Sequence, residues 1–342
     1  MYYFNVIFFK CAFNCYIFIY SLHYYTMDDF DKIANEAVKK GAILSNLFFD
    51  SKEESEEIVK NQLTHLLKKV SKEQGVIYSL GVIEPPIKEE YPDGVKYLSS
   101  GEIKILTKDL ESLVRLVGLY GPVHIEIIKP DKIKLSPSQF ESIVNQSILI
   151  TYALSQHIVR ASIKEEEEVQ KKFYIKNKLF RDNVIKTIKE KEYPIEKCFN
   201  SKEILDNYYE KGKYIATFSF NIHDFNEENI NKKFDEMTNK IKLIKNILDV
   251  KVLDEVELDE VDKINNEINY YSKVKHLVIV FDDISTLFIL AFRLGAAYVK
   301  LNVHNNINID FMEFQDPINE LSQIVYELTN HIIKNKLMKG IE

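Results

Sequence analysis

The chain has 342 residues, enough for two ordinary domains, and its 46% hydrophobic and 28% charged residues mark it as globular rather than disordered. Its net charge is −7, with 41 Lys but only four Arg (Arg115, Arg160, Arg181 and Arg293). That balance tells against a nucleic-acid partner, because little guanidinium is on hand to grip phosphate in two places at once.

Residues 1–26, MYYFNVIFFKCAFNCYIFIYSLHYYT, hold a single charge at Lys10, and charge density then rises at Asp28 and Asp29. Three readings stand side by side. A membrane anchor needs about 20 apolar residues, but Lys10 in the middle costs about 2.5–3.5 kcal/mol. A secretory signal would show a basic leader and a small-residue cleavage site, which are missing. In the third reading, translation starts at Met27 and the stretch is an extension. Cys11 and Cys15 then drop out, leaving Cys198 without a disulfide mate, as suits a reducing cytoplasm. The expectation is a cytoplasmic protein, with membrane anchoring through residues 1–26 as the alternative.

Sliding the chain against itself by 174 positions aligns residues 41–160 with 215–334 without a gap, with 23 identities in 120 positions. Such self-similarity is read before any fold is assigned. The lead-ins MDDFDKIANEAVKK and SKEILDNYYEKGKY also align. The chain therefore divides into an apolar extension (1–26), a first repeat (27–160), a charged helical linker (161–200) and a second repeat (201–342).

In chain order, GAILSNLFF (41–49) and IATFSFNIH (215–223) read as strands. Asp50 with Glu53, and Asp224 with Glu227, have the spacing of a capping box. Leu63, Leu67 and Val70 should line the buried side of the helix that follows, matched by Met237, Ile241 and Ile244. GVIYSLGVI and DVKVLDEVE give second strands, and EIKIL and HLVIV third strands. Asp109 and Asp283 stand where an N-cap is needed, and Gly121 and Gly295 end the helices they open. PVHIEII and AAYVKLN are fourth strands. Long helices follow, entered at Ser136–Gln139, with Pro137 at the first helical position, and at Asp310–Glu313.

The fold class expected is α+β: a tandem duplication of a βαββαβ unit, each copy followed by a long C-terminal helix. That order resembles the ferredoxin-like arrangement shared by effector-binding domains of the ACT type and by many RNA-binding domains. The stretch YGPVHIEIIKPDKIKLS resembles segments of uncharacterised archaeal proteins, a likeness that brings no assigned activity. In the linker, Val169, Phe173, Phe180, Val184 and Ile188 are roughly in phase on one helix face, ended near Pro194, and read as a solvated spacer, with a bridge between the domains or an extension of a partner surface as the alternative.

In the first long helix, Phe140, Val144, Ser147, Thr151, Leu154 and Ile158 should form the core stripe. His157, and His331 by repetition, fall at the stripe's edge and read as packed histidines, with a ligand role as the alternative. Tyr152 and His157 point about 140° apart and form no catalytic pair. Asn145 and Tyr152 share the side away from the stripe, as do Asn319 and Tyr326. These four are the candidate interaction surface, either between the copies or toward a partner.

No catalytic, cofactor-binding or metal-ligating set is assigned, and no cofactor is expected. His65, His124, His223, His276 and His304 have no paired-ligand spacing, and phosphate loops and nucleophile elbows are missing. The third strands GEIKILT and KHLVIVF lack the aromatic and basic pattern of an RNA-recognition sheet. The function expected is non-catalytic binding or interaction, with a protein partner, self-association or a small molecule as the class of partner. RNA association and an enzyme with a site between the repeats are the rivals.

Overall fold

The computed structural model describes residues 27–162 except Asp93, residues 201–338 except Phe225, 265–267 and His304, the strands at 6–10 and 16–20, Asp182, Ile185, Lys186 and residues 195–199. The spacer residues Val169, Phe173, Phe180, Val184 and Ile188 lie outside these. The protein is α+β with antiparallel sheets. It forms two compact units, Met1–Lys134 with Asn308–Thr329, and Leu135–Ile307 with Asn330–Glu342.

The first unit carries β1 (Val6–Lys10), β2 (Tyr16–Tyr20), α1 (Met27–Val38), β3 (Ile43–Glu53), α2 (Glu56–Val70), β4 (Val76–Ile83), β5 (Ile87–Tyr91), β6 (Gly94–Thr107), α3 (Leu110–Tyr120) and β7 (His124–Lys129). Its sheet runs β1-β2-β4-β6-β3-β7, with β5 added against β6. The apolar extension thus supplies a hairpin at the β4 edge, and among the described residues no helix is long and apolar enough to cross a membrane.

The second unit carries α4 (Pro137–Ser162), α5 (Lys202–Glu210), β9 (Tyr214–Asp224), α6 (Glu227–Lys242), β10 (Ile247–Ile264), β11 (Ile268–Phe281), α7 (Ile284–Arg293) and β12 (Tyr298–Leu301). Its sheet runs β10-β11-β9-β12. Counted along each repeat from β3 or β9, the order in both sheets is second, third, first, fourth. Where the chain passes between units, β8 (Lys132–Leu135) pairs with β13 (Ile307–Asp310), and Lys132 bridges Asp310 at 2.9 Å. The last helix, α8 (Phe311–Met338), begins there.

The units are not the contiguous repeats. Helix α4 closes the first repeat in sequence but packs in the second unit, and residues 311–329 of α8 pack in the first. Boundaries at 27–160 and 201–342 therefore cut the chain differently from its packing.

The gapless register also needs correcting. Ile43 faces Thr107 and Tyr214 faces Phe281, so β3 and β9 are related by 171 positions, not 174. The same offset relates β4 to β10 and α2 to α6. The caps show it directly: Ser55 accepts from Ile58 N–H, and Asn226, 171 residues on, accepts from Glu228 N–H. Asp50 and Glu53 lie inside β3, not in a capping box, and Asp224 ends β9. The buried side of α2 is Val59, Leu63, Leu67 and Val70; that of α6 is Ile230, Phe234, Thr238 and Ile241, so Met237 and Ile244 are not its core pair. From β6 onward the offset of 174 holds. The extra residues enter mainly at the bulge between Leu253 and Leu258 within β10.

Each sheet buries one face under its two crossover helices. In the first unit Ile43, Leu47, Phe49, Ile103 and Ile105 are at most 3% exposed on that face. Gly81 and Gly101 let Leu67 approach, for a Cβ there would lie 3.2 and 3.4 Å from its Cδ1. The lead-in helix packs on the opposite face. Around α1, Ala34, Ala42, Leu44 and Leu106 form a cluster; around α5, Leu205 joins Ile215, Val278, Val280 and Phe199.

Candidate binding face and the strand-edge locks

The second face of the first sheet is read in rows, because residues directly opposite in an antiparallel pair share a side. One row is Leu80–Lys104–Asn46–Glu126, and the next is Val82–Glu102–Phe48–His124. Ser100 and Asp50 continue it, joined by a 2.8 Å hydrogen bond. Helix α1 packs on the end at Tyr78, Leu106 and Leu44. Asn46, Phe48, Glu102 and Lys104 are half-buried, while His124, Glu126 and Asp50 are exposed. Asn46 Nδ2 donates to Glu126 Oε2 (3.2 Å), and the Phe48 and His124 rings lie 5.8 Å apart. The Oδ1 of Asn46 is buried and has no hydrogen-bond partner among the described residues. Within these rows Glu102, Glu126 and Asp50 stand with Lys104, and Lys52 follows Asp50 on the same side of β3.

At the equivalent positions the second sheet is closed. Thr217 and Ser219 stand for Asn46 and Phe48, and His276, Val278 and Tyr298 for Glu102, Lys104 and His124; all are buried. Asn302 Nδ2 donates to Thr217 Oγ1, and Ser219 Oγ lies 2.8 Å from His276 Nδ1. A serine beside an imidazole invites a nucleophilic reading, but both residues are 1% exposed, so a substrate has no path to the hydroxyl. Further along this face His223 is held neutral, its pKa lowered to about 4 chiefly by burial and then by Lys233. The neighbouring Asp224 is lowered to about 2, chiefly by its hydrogen bond from Lys233 and then by Asn226 N–H. Among the described residues, no group of three His, Cys, Asp or Glu could hold a metal ion.

The candidate interaction residues fall in two separate places. Asn145 lies on α4 beside the outer edge of β12. Its Nδ2 donates to Val299 O (2.7 Å), and Val299 N–H donates to its Oδ1 (2.9 Å). One turn earlier, Glu141 accepts from Leu301 N–H (2.9 Å) and from the Tyr298 hydroxyl (2.6 Å). Asn319 on α8 treats β7 alike: Ile125 N–H donates to its Oδ1 (2.8 Å), and its Nδ2 donates to Ile125 O (3.0 Å). Gln315 accepts from Ile127 N–H (2.8 Å) and donates to Ile125 O. Residues four apart on a helix rise about 6 Å, close to the ~6.6 Å between alternate strand residues, so one helix face can serve two edge positions. These side chains satisfy backbone groups that an exposed edge would offer to another chain. Glu141 and Gln315 were missed in sequence, although their spacing to the paired asparagines was the available signal.

Tyr152 is half-buried and Tyr326 is 39% exposed. The backbone of Tyr326 rather than its ring makes the close approach, since a Cβ on Gly121 would sit 3.1 Å from its N atom. His157 and His331 are exposed, not at the core edge as expected, because α4 and α8 turn their stripe toward a strand edge as well as a sheet. The stripe itself is as expected through Phe140, Val144, Ser147 and Thr151, all at most 7% exposed, with Ile143 and Ile148 added.

Residues 45–203 match the MJ0538 family. That stretch, from β3 past α4 to the start of α5, is similar to an uncharacterised family with an archaeal name, in keeping with the likeness noted at YGPVHIEIIKPDKIKLS. No curated protein and no solved structure matches the chain.

Proposed function

We propose that the chain is a non-catalytic binding protein, built from two tandem copies of a ferredoxin-like unit, and that the half-open face of the first sheet takes a small polar ligand carrying an ammonium group. The observation that carries this reading is the orphaned Oδ1 of Asn46. A buried acceptor without a donor is disfavoured by about 1–3 kcal/mol, and an N–H of a ligand would relieve it. Asn46 stands between Lys104 and Glu126 in its row, with Glu102 one row along beside Phe48; the two carboxylates favour a positive donor, and the Phe48 ring offers a cation its face. The net charge of −7 disfavours RNA phosphate. The closed, uncharged counterpart in the second sheet supports a division of labour in which one copy binds and the other serves as scaffold.

Native mass spectrometry of the full chain purified from its own cells tests this. A small basic compound should accompany the wild type and be absent from Asn46→Leu and Glu102→Gln. A ligand retained equally by both variants would refute the assignment of the face. Recovery of RNA instead would refute the function.

A further inference from the structure

The two edge locks differ at one position, and the difference matches the edge each helix meets. Glu141 and Gln315 are equivalent in the repeat. On β12 the groups facing Glu141 are both donors, Leu301 N–H and the Tyr298 hydroxyl, so an acceptor-only carboxylate fits. On β7 the groups facing Gln315 are one donor, Ile127 N–H, and one acceptor, Ile125 O, so an amide with both functions fits. The position equivalent to Tyr298 is His124, whose ring packs on Phe48.

We infer that Glu141 and Gln315, each four residues before the shared Asn145 or Asn319, form a matching code that directs each long helix to the strand edge of the other repeat. Seated on the edge of its own repeat, α4 would set a carboxylate oxygen against Ile125 O, and the Tyr298 hydroxyl would lose its acceptor. Repulsion of that kind selects between otherwise equivalent partners. A helix bearing Glu or Gln followed by Asn four residues later is the ligand that these edges recognise. The code is independent of what the first sheet binds.

The test is thermal unfolding of the full chain at pH 7.5 and pH 4.5, each variant compared with wild type at the same pH. Gln315→Glu should lower Tm by about 1–4 °C at pH 7.5, on the scale of losing one or two hydrogen bonds in a chain of this size. Most of that loss should vanish at pH 4.5, where a protonated carboxyl again donates to Ile125 O. Gln315→Leu, which removes the contact without adding charge, should show a loss of similar size at both pH values. Glu141→Gln should lose less than Gln315→Glu at pH 7.5, because its amide oxygen still accepts. If Gln315→Glu does not fold at pH 7.5, folding at pH 4.5 supports the code, and failure at both overturns it. Gln315→Glu tracking Gln315→Leu at both pH values also overturns it, as does Glu141→Gln being the more damaging change.

Discussion

The Asn145 amide pairs with both backbone groups of Val299, 154 residues away, at 2.7 and 2.9 Å, so a side chain on a helix acts as the next strand of a sheet. Asn319 does the same for Ile125. Replacing Asn145 by Leu should destabilise the protein by about 1–3 kcal/mol, because two partly buried backbone groups lose their partner without gaining water. Asn145→Asp, which keeps the acceptor and drops the donor, should fall between Leu and wild type. Urea unfolding of the three proteins would check the order.

Gly121 and Gly295, 174 positions apart, both have a left-handed φ, 51° and 66°, yet they differ in surroundings. A Cβ at Gly295 meets nothing within 4 Å, while one at Gly121 meets Tyr326 N and Val325 Cγ1 at 3.1 Å. Gly295→Ala should lose only the conformational term, about 1 kcal/mol. Gly121→Ala should lose clearly more, since it also pushes α8 from its seat. Equal losses in denaturant titrations would contradict the close approach.

His223 sets a pH dependence. Its folded pKa is lowered from 6.5 to about 4, so the folded state resists a proton that the unfolded chain accepts. The stability it confers is complete above pH 6.5 and declines as pH falls from there toward 4. The loss is on the order of 2–3 kcal/mol. Asp224, lowered to about 2, adds a further loss below its ordinary 3.8. His223→Gln should flatten the profile between pH 6.5 and 4 and leave the lower limb; urea midpoints across pH 3–8 would reveal it.

His157 and His331 face solvent, so replacing either by Gln should change stability by no more than about 0.5 kcal/mol. A loss beyond 1 kcal/mol in either variant would show that the ring is packed after all.

Features with a local cause could be read from sequence. Asp109 and Asp283 accept from the N–H groups of Ser112 and Thr286 because a short acceptor before an apolar helix has little else to do. Ser136 and Gln139 bond reciprocally, as their spacing implies. The three-residue slip between α2 and α6 was hidden because a slide of three nearly restores a helical face. In the strand a slide of three swaps faces, but Ile215–Phe220 are buried on both sides, so the pattern carried no warning. Nor could the sequence tell which sheet each long helix covers, for two sheets of the same strand order offer each helix two similar seats. The half-open face escaped notice for a different reason. Asn46, Phe48, Glu102 and Glu126 come from three strands, and only the register sets them side by side.

The most direct test of the exchange is amide hydrogen exchange on full-length Phe314→Ala, a cavity in α8 at a residue with 0% exposure. The exchanged arrangement predicts that protection falls in β3 and β7 of the first sheet, while β9 and β12 keep theirs. Loss confined to β9 and β12, with the first sheet unchanged, would contradict it.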